Sequence, residues 1–338
     1  MSVTIKDVAR EAELSVATVS RVLNHSANVS EEAVMRVNEA IAKLGYSPNF
    51  LGRNLRKRET NVILVIMPSS EHTFYNKIVA GIQRYAQPRG YDIISAASNS
   101  TSEIEVRQMN MLFNRTVDGV ILLGTSYSAE TLNSLSKNYD IALCCEGVEG
   151  ANVLTVVVDD ELAAYDAVKA LAAQGHKKIG FIGANDTSAS SRRRRKGYLR
   201  AIAECGLDIR AEYMCLGTFE YEHGAVGLEQ LMKLPDPPTA VFCVSDLLAI
   251  SAIHKAEDMG IKVGKDLSIM GFDNITMCEM MLPTVATVEQ PCGELGETVV
   301  KKLISNFNKP LEKKDNGQYT VPHRVIMRDS VCSLCDES

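Results

Sequence analysis

The chain has 338 residues, which is too many for a single small domain and suits two or three. Hydrophobic residues make up 46% of it, enough to bury a sizeable core, so the composition argues against a disordered chain. No apolar run reaches the roughly 18 residues that a membrane span needs, and the residues after Met1 lack the apolar segment of a signal peptide. We therefore expect a cytoplasmic protein with no membrane partner.

The number and spacing of the cysteines argue against a disulfide-bonded or metal-binding protein. Nine cysteines, an odd number at irregular spacing, argue against a disulfide framework. One CxxC, formed by Cys332 and Cys335, has no second pair of ligands, so we expect no metal and no other cofactor.

The charges are unevenly distributed along the chain. Residues 1–60 carry nine Lys and Arg against seven Asp and Glu, whereas the rest of the chain carries 27 against 35. A basic N-terminal segment followed by a more acidic remainder is expected when only the N-terminal segment contacts phosphate groups.

The first 45 residues predict three short helices. Thr4 is a good N-cap for the first, with Asp7 complementing the helix dipole, and Ser15 and Ser30 can cap the second and third. Gly45 ends the third helix. The predicted inward apolar positions are Val19, Val22 and Leu23 on the second helix, and Val34, Val37, Ile41 and Leu44 on the third. Three helices of this length form the minimal core of a helix-turn-helix domain.

A basic segment follows the three helices. Pro48 stops helix formation, because the residue before a proline avoids the helical region. Residues 50–58, FLGRNLRKR, combine basic side chains with two exposed leucines. We interpret this segment as a linker that becomes helical on a partner.

From Asn61 onward, apolar runs alternate with helical stretches. The runs are rich in Val and Ile and unbroken, as parallel strands buried on both faces are; they include 62–67, 119–124 and 155–158, and later 178–183, 240–245 and 267–272. This alternation predicts an α/β core of doubly wound, Rossmann-like sheets. Two such groups predict two lobes with a cleft between them, where a ligand would sit at the carboxyl ends of the strands.

The residues also carry a resemblance to a known family. Residues 4–24, TIKDVAREAELSVATVSRVLN, resemble the DNA-binding signature of the lactose/galactose repressor (LacI/GalR) family. The likeness continues in chain order through the segments 45–49 (GYSPN), 117–119 (VDG), 175–180 (GHKKIG), 271–274 (GFDN) and 289–291 (EQP). Gly52 departs from the family, where a small Ala is usual; it lowers helix propensity by about 1 kcal/mol.

The resemblance implies a homodimer whose core is like that of type I periplasmic binding proteins, with a small-molecule effector in the cleft. It implies a helix-turn-helix domain over 1–47, a hinge over 48–60 and a core over 61–338. In such a core the chain crosses between the lobes, so we expect a first lobe of about 61–159 with 289–320. The second lobe would then comprise about 160–288 with 321–338.

The DNA-contacting residues are predicted to lie on the second helix and its surroundings. Arg21 can donate two hydrogen bonds to guanine, and Val16 and Ala17 suit a thymine methyl group. Phosphate contacts are expected from Ser15, Thr18 and Asn24. By the resemblance Leu55 wedges into a minor-groove step, the alternative being a leucine packed on the core. The full set of candidates is Thr4, Ser15, Val16, Ala17, Thr18, Ser20, Arg21, Asn24, Asn28, Tyr46 and Leu55.

The effector contacts are predicted at strand ends. Phe74 and Phe219 can stack on a sugar ring or a base, or belong to the core. Glu146 follows one strand, and by the resemblance Asp273 and one of Ser245 or Asp246 contact the effector, although Asp246 is equally a candidate helix N-cap. Within the run 192–195 the family's effector-binding arginine is Arg192 or Arg194.

These features predict a nucleoid-associated, ligand-controlled repressor of transcription that binds double-stranded operator DNA. No nucleotide-binding, serine-hydrolase or zinc-protease motif appears, so we expect no enzymatic activity. A solute-binding protein on the same lobes would lack the helix-turn-helix. A sugar or sugar phosphate is the favoured effector; a purine, or control by a protein partner, remains an alternative.

Overall fold

A computed structural model describes residues 3–23, 29–46, 59–185 and 188–334. The chain divides into two compact units, Met1–Thr60 and Asn61–Ser338. Asn24, Asn28 and Leu55, and the linker over 48–58, lie outside the described residues. Within those ranges, no helix is both long enough and apolar enough to cross a membrane.

The first unit contains three helices, α1 (Ile5–Glu11), α2 (Val16–Leu23) and α3 (Glu31–Leu44). Thr4 caps α1, its amide and hydroxyl both donating to Asp7 Oδ2 at 3.0 and 2.7 Å. Ser15 Oγ accepts from the Thr18 amide at 3.0 Å, and Ser30 caps α3. Gly45 ends α3 in the left-handed conformation, which glycine adopts without steric cost. The predicted caps are therefore confirmed.

The inward face of α3 differs from the prediction at one position. Val37 is fully buried, and Ile41 and Leu44 pack against the same small core, but Val34 is 36% exposed. Ala33 and Ala40 are buried instead. The buried stripe of α3 therefore includes these small residues and leaves Val34 at its edge.

The second unit contains two sheets, and the first is entirely parallel. Its strand order is β11-β5-β4-β3-β1-β2. The strands are β1 (Val62–Met67), β2 (Asp92–Ala97), β3 (Gly119–Leu122), β4 (Asp140–Cys144), β5 (Leu154–Val157) and β11 (Gln318–Thr320). The associated helices are α4 (Thr73–Ala86), α5 (Ser102–Phe113), α6 (Ala129–Leu135) and α12 (Cys292–Asn306).

The second sheet has the order β12-β10-β9-β8-β6-β7, with β12 antiparallel and the other strands parallel. Its strands are β6 (Ile179–Ala184), β7 (Met214–Gly217), β8 (Ala240–Cys243), β9 (Ser268–Asp273), β10 (Ala286–Glu289) and β12 (Arg324–Ile326). The remaining helices are α7 (Asp160–Ala173), α8 (Ala189–Glu204), α9 (Tyr221–Met232), α10 (Asp246–Asp258) and α11 (Met277–Met280). Two doubly wound lobes, as predicted, make up the core.

The chain crosses between the lobes three times. It passes from β5 to α7, from β10 to α12 and from β11 to β12. The carboxyl ends of the parallel strands in both lobes therefore face the region spanned by these crossings, which is where ligands bind in open α/β sheets.

The burial of each strand follows its place in the sheet. The central strands β1, β3, β4, β6 and β8 are almost completely buried, whereas the edge strands β2 and β7 are partly exposed. Ile94 on β2 is 40% exposed although it lies in an unbroken apolar run. A local run of apolar residues identifies a strand but does not determine whether a helix covers both of its faces.

Candidate functional site

The second helix of the small unit presents a mixed surface. Val19 and Val22 are buried beneath α2, while Val16, Ala17 and Arg21 are exposed on its outer side. Thr18 and Ser20 are half-buried, and Tyr46 packs against the core of the unit. An exposed guanidinium can reach the edge of a guanine in a major groove, and the two small apolar side chains one turn earlier can contact a thymine methyl group.

Two hydroxyl groups at the start of α2 already have partners. Ser15 Oγ accepts the Thr18 amide and lies 2.8 Å from Thr18 Oγ1. These bonds hold the first turn of α2 in place, and both hydroxyls keep acceptor or donor capacity for a phosphate oxygen. Thr4, another candidate, caps α1 through Asp7 and is exposed.

A cavity of about 490 Å³ lies where the strand ends of the two lobes meet. The first lobe contributes most of the wall, and the second lobe contributes the start of α8 with Ser188, Ala189 and Arg192. Five hydroxyl side chains of the first lobe line it: Ser98, Ser100, Thr125, Ser126 and Tyr127. Two predicted effector residues, Glu146 and Arg192, are also lining residues.

Glu105 is a buried carboxylate in the same wall. It is 2% exposed, and its oxygens accept hydrogen bonds from the Thr125 hydroxyl and from the Ser126 amide and hydroxyl, the last two at 2.8 and 2.6 Å. Glu105 therefore holds the loop after β3 in the conformation that exposes Tyr127 to the cavity. Nothing in the sequence of an amphipathic helix such as α5 distinguishes this glutamate from its solvent-facing neighbours.

Among the described residues, side chains of the first lobe donate to or accept from second-lobe backbone at two places. Ala189, the first residue of α8, donates its amide to Glu146 Oε1 at 2.6 Å. Lys77 on α4 donates to the carbonyl oxygen of Asn274, just after β9, at 2.8 Å. Each bond joins a first-lobe side chain to second-lobe backbone.

Arg194 lies at the centre of a buried charge cluster in the second lobe. Its Nε donates to Asp160 Oδ1 at 2.8 Å and its Nη1 to the Val244 carbonyl at 2.7 Å. The same Nη1 is 3.7 Å from Asp273 Oδ1, and the guanidinium carbon lies 3.7 Å from the centre of the Phe272 ring. Three partners and an aromatic face thus orient one buried arginine.

Asp273 ends β9 with φ of 119°, a conformation that favours glycine. Its Oδ1 also accepts from Gln290 Nε2 at 2.7 Å. Burial raises the pKa of Asp273 to about 7; Arg194 opposes this shift and the Asp246 charge adds to it. Near neutral pH the carboxyl group can therefore gain or lose a proton as its surroundings change.

The remaining strand-end candidates have internal partners. Ser245 caps α10 by accepting the Leu248 amide at 3.4 Å, so the N-cap is Ser245 and not Asp246. Asp246 is fully buried; it accepts from Thr287 Oγ1 at 2.6 Å and from the Ile275 amide at 2.8 Å. Burial raises the pKa of Asp246 to about 6. In this structure its carboxylate anchors β10 and the loop after β9 and has no surface for a ligand.

The two aromatic candidates do not line the cavity. Phe74 is 8% exposed and belongs to the hydrophobic core, where it meets Tyr75 edge to face. Phe219 is half-buried and packs against the same core. For Phe74 the geometry fits the core-packing alternative that the sequence left open.

Asp160 is a member of the Arg194 charge cluster that the sequence did not identify. It directly follows Asp159 after β5, so it is a carboxylate near a strand end, the same signal that identified Asp273. Its partner Arg194 lies 34 positions further along the chain. The signal was present, but the pairing depends on how α7 and α8 pack.

Two family models match the chain in succession. Residues 4–49 match bacterial regulatory proteins of the lacI family, and residues 60–328 match the periplasmic binding proteins and sugar-binding domain of the LacI family.

Relatives and solved structures agree with these matches. Catabolite control protein A of Priestia megaterium is 36% identical over 98% of this chain and 99% of its own length. The transcriptional repressor CytR of Escherichia coli K12 is 35% identical over 98% and 97%. The lac repressor dimer bound to operator and the anti-inducer ONPF has the same fold, with a TM-score of 0.86 at 23% identity over 98% of this chain and 100% of that one. The complex of the regulator CelR with cellobiose has a TM-score of 0.72 at 26% identity over 97% and 99%.

The fold and the matches define a helix-turn-helix unit joined to a periplasmic-binding-protein-like core, the architecture of a transcription regulator. The chain belongs to the LacI family of bacterial regulatory proteins. It is a DNA-binding transcriptional repressor with an effector-binding domain, and the families and relatives that it matches are regulators and not enzymes.

Proposed function

We propose that this repressor binds operator DNA as a homodimer and that a sugar or sugar derivative in the cleft controls its affinity for DNA. The cavity of about 490 Å³ carries this proposal, because both lobes line it and six side chains with hydroxyl groups lie in its wall. A ligand that contacts both lobes changes the equilibrium between their arrangements by its differential affinity for them.

The polar lining favours a polyhydroxylated ligand. Hydroxyl and carboxylate groups exchange hydrogen bonds with sugar hydroxyls, and the volume is in the usual range for small-molecule sites. Glu146 and Arg192 would contact the ligand from opposite lobes. Asp273 and Arg194, which do not line the cavity, are proposed as further contacts from the family resemblance. A purine would need an aromatic face for stacking; Phe74 lies in the core, so Tyr127 is the aromatic side chain among the described lining residues, and the other lining groups, mostly hydroxyls and carboxylates, favour a sugar. Two relatives point the same way: the CelR structure contains cellobiose, and a 30% identical relative is a ribose operon repressor.

The operator contacts are proposed for the outer face of α2. Arg21 would read a guanine and Val16 and Ala17 a thymine methyl group, while Thr4, Ser15, Thr18, Ser20 and Tyr46 would contact phosphates or flanking sugars. A dimer would place two such helices in successive major grooves of a two-fold operator.

A surface of the second lobe is the proposed dimer contact. Met277, Met280 and Leu282, on and just after α11, are 44%, 76% and 89% exposed. The lac repressor whose fold this chain shares was solved as a dimer. Adjacent exposed apolar side chains of this size mark association surfaces.

A thermal-shift screen of the full chain against neutral sugars, sugar phosphates and purines tests the proposal, since a ligand that binds only the folded state raises apparent stability. We expect a neutral sugar or sugar derivative to give the largest shift, and the same compound to change operator affinity measured by fluorescence anisotropy. Asp273→Ala should weaken that response while sparing the affinity for DNA without ligand. A shift given only by purines, or an unchanged response of Asp273→Ala, would contradict the proposal.

A further inference from the structure

The start of α8 is an anion-binding position with no acidic residue of its own. The helix has 16 residues, its first turn contains no Asp or Glu, and the basic run 192–196 follows immediately. The first amides of a helix carry partial positive charge and favour a carboxylate or a phosphate. Arg192, in the second turn, lines the cavity together with Ser188 and Ala189.

A carboxylate from the other lobe occupies this position. Glu146 Oε1 accepts the Ala189 amide at 2.6 Å, a short, charge-assisted hydrogen bond. Glu146 follows β4 of the first lobe, so the negative charge reaches α8 across the cleft.

A second feature of the same turn is a buried hydroxyl group. Ser191 is 4% exposed, and its Oγ has no hydrogen-bond partner among the described residues. Buried hydroxyl groups are almost always hydrogen-bonded, and the exceptions concentrate at sites of function.

We infer that Glu146 is a specificity-determining residue: its carboxylate fills the anion position of α8 and makes the cleft select uncharged ligands over phosphorylated or carboxylated ones. This inference rests on the proposed function, because its biological consequence is that the cleft distinguishes neutral sugars from sugar phosphates. The physical reason is that an anionic ligand would have to displace Glu146 or lie beside it.

Inorganic phosphate is the probe that tests this inference. The full chain and the variants Glu146→Ala, Glu146→Gln and Glu149→Ala are titrated with phosphate at constant ionic strength, by calorimetry and by thermal shift. Glu149→Ala is the matched control, since it removes a carboxylate from the same cavity without vacating the start of α8. We expect Glu146→Ala to bind phosphate at least tenfold more tightly than the unmodified chain, and Glu149→Ala to behave like the unmodified chain. Adding Arg192→Ala to Glu146→Ala should remove most of the gain.

Equal phosphate affinity of Glu146→Ala and Glu149→Ala, or tight phosphate binding by the unmodified chain, would overturn the inference. If Glu146→Ala does not fold, Glu146→Gln is compared with Glu149→Gln in the same titration. The amide keeps the size of the side chain and removes its charge, so a smaller gain is expected and its absence counts against the inference. Because the probe is phosphate, the result is independent of whether a sugar is the effector.

Discussion

Arg194 forms ion pairs with two carboxylates, Asp160 and Asp273. The side chains of Arg194 and Asp160 are 8% and 3% exposed. Removing one member of such a cluster leaves an uncompensated buried charge, which is far more costly than losing a surface ion pair. The net charge of the cluster also depends on whether Asp273 carries a proton.

Asp273 should make the stability of the core depend on pH. Its folded-state pKa is raised to about 7 from 3.8, so its contribution to stability is full below pH 3.8 and is lost as the pH rises through 7. Relative to Asp273→Asn, the unmodified chain should gain on the order of 1 kcal/mol per pH unit on acidification from pH 7 to 5. Urea unfolding at pH 5, 6 and 7 measures this difference.

Asp258→Asn, which removes an exposed carboxylate at the end of α10, is the control. It should leave the pH dependence of unfolding unchanged. The buried Asp246 titrates in every one of these proteins, and its charge raises the pKa of Asp273, so the comparison reports Asp273 together with its coupling to Asp246. An identical pH dependence in Asp273→Asn and the unmodified chain would show that Asp273 keeps its ordinary pKa.

Arg21 should determine sequence preference at one base pair of each half-site. Arg21→Ala removes a bidentate donor to guanine and should weaken operator binding by about 1–3 kcal/mol while relaxing that preference. Fluorescence anisotropy with an operator selected from a randomised DNA pool measures both quantities. Arg10→Ala is the matched control, because Arg10 is 81% exposed on α1 and pairs with Asp7. Wild-type selectivity in Arg21→Ala would mean that Arg21 does not read a base.

At the scale of elements, glycines allow α4 and α12 to cross closely in the first lobe. A Cβ atom on Gly296 would lie 2.3 Å from the Ile78 carbonyl oxygen, and one on Gly81 would lie 2.4 Å from that of Gly293. Backbone therefore packs against backbone where the two helices cross. The crossing matters for function because α12 begins directly after the second passage between the lobes.

Gly296→Ala should lower the free energy of unfolding by about 1–3 kcal/mol, since the added methyl group forces the helices apart. Gly293→Ala lies on the same helix, and its Cβ would meet only Arg84 Nη1 at 3.6 Å. It should be neutral, or stabilising by up to about 1 kcal/mol through helix propensity. Melting temperatures of both variants test the pair, and similar values for the two would contradict the close approach.

For the whole molecule, we expect assembly to depend on the core, because the small unit has only a minimal hydrophobic cluster of its own. The exposed side chains of Met277, Met280 and Leu282 form the proposed contact. Arg328 donates to Glu279 of α11 and to Asn274 Oδ1, both at 2.9 Å. Asn274 also accepts Lys77 from the first lobe, so this surface is connected by hydrogen bonds to the edge of the cleft.

Met280→Asp should convert the dimer to a monomer at micromolar concentration, because a charge buried in an apolar contact is left unpaired. Light scattering coupled to gel filtration measures the mass. Ile209→Asp is the control, since Ile209 is 57% exposed and lies away from α11 in the sequence. A dimer that survives Met280→Asp would assign the contact to another surface, and a monomeric unmodified chain would remove the proposed dimer altogether.

Local patterns in the sequence determined the elements of this protein. The caps Thr4, Ser15 and Ser30 and the stop at Gly45 bound the three helices, because capping depends on residues within one turn. Unbroken Val and Ile runs identified the buried strands, and their alternation with helices predicted two doubly wound lobes. Together with the motif over residues 4–24, these patterns were enough to predict a DNA-binding regulator.

Tertiary structure alone decided which polar side chains meet. Asp246 and Asp273 both stand at strand ends and look alike in sequence, yet Asp246 is fully buried against Thr287 while Asp273 approaches Arg194. Asp160 joins that arginine from another helix, and Glu146 reaches α8 from the other lobe. The physical reason is that hydrogen-bonding range is a few ångströms in space, and residues far apart in the chain come within it only through sheet register, helix packing and the position of the lobes.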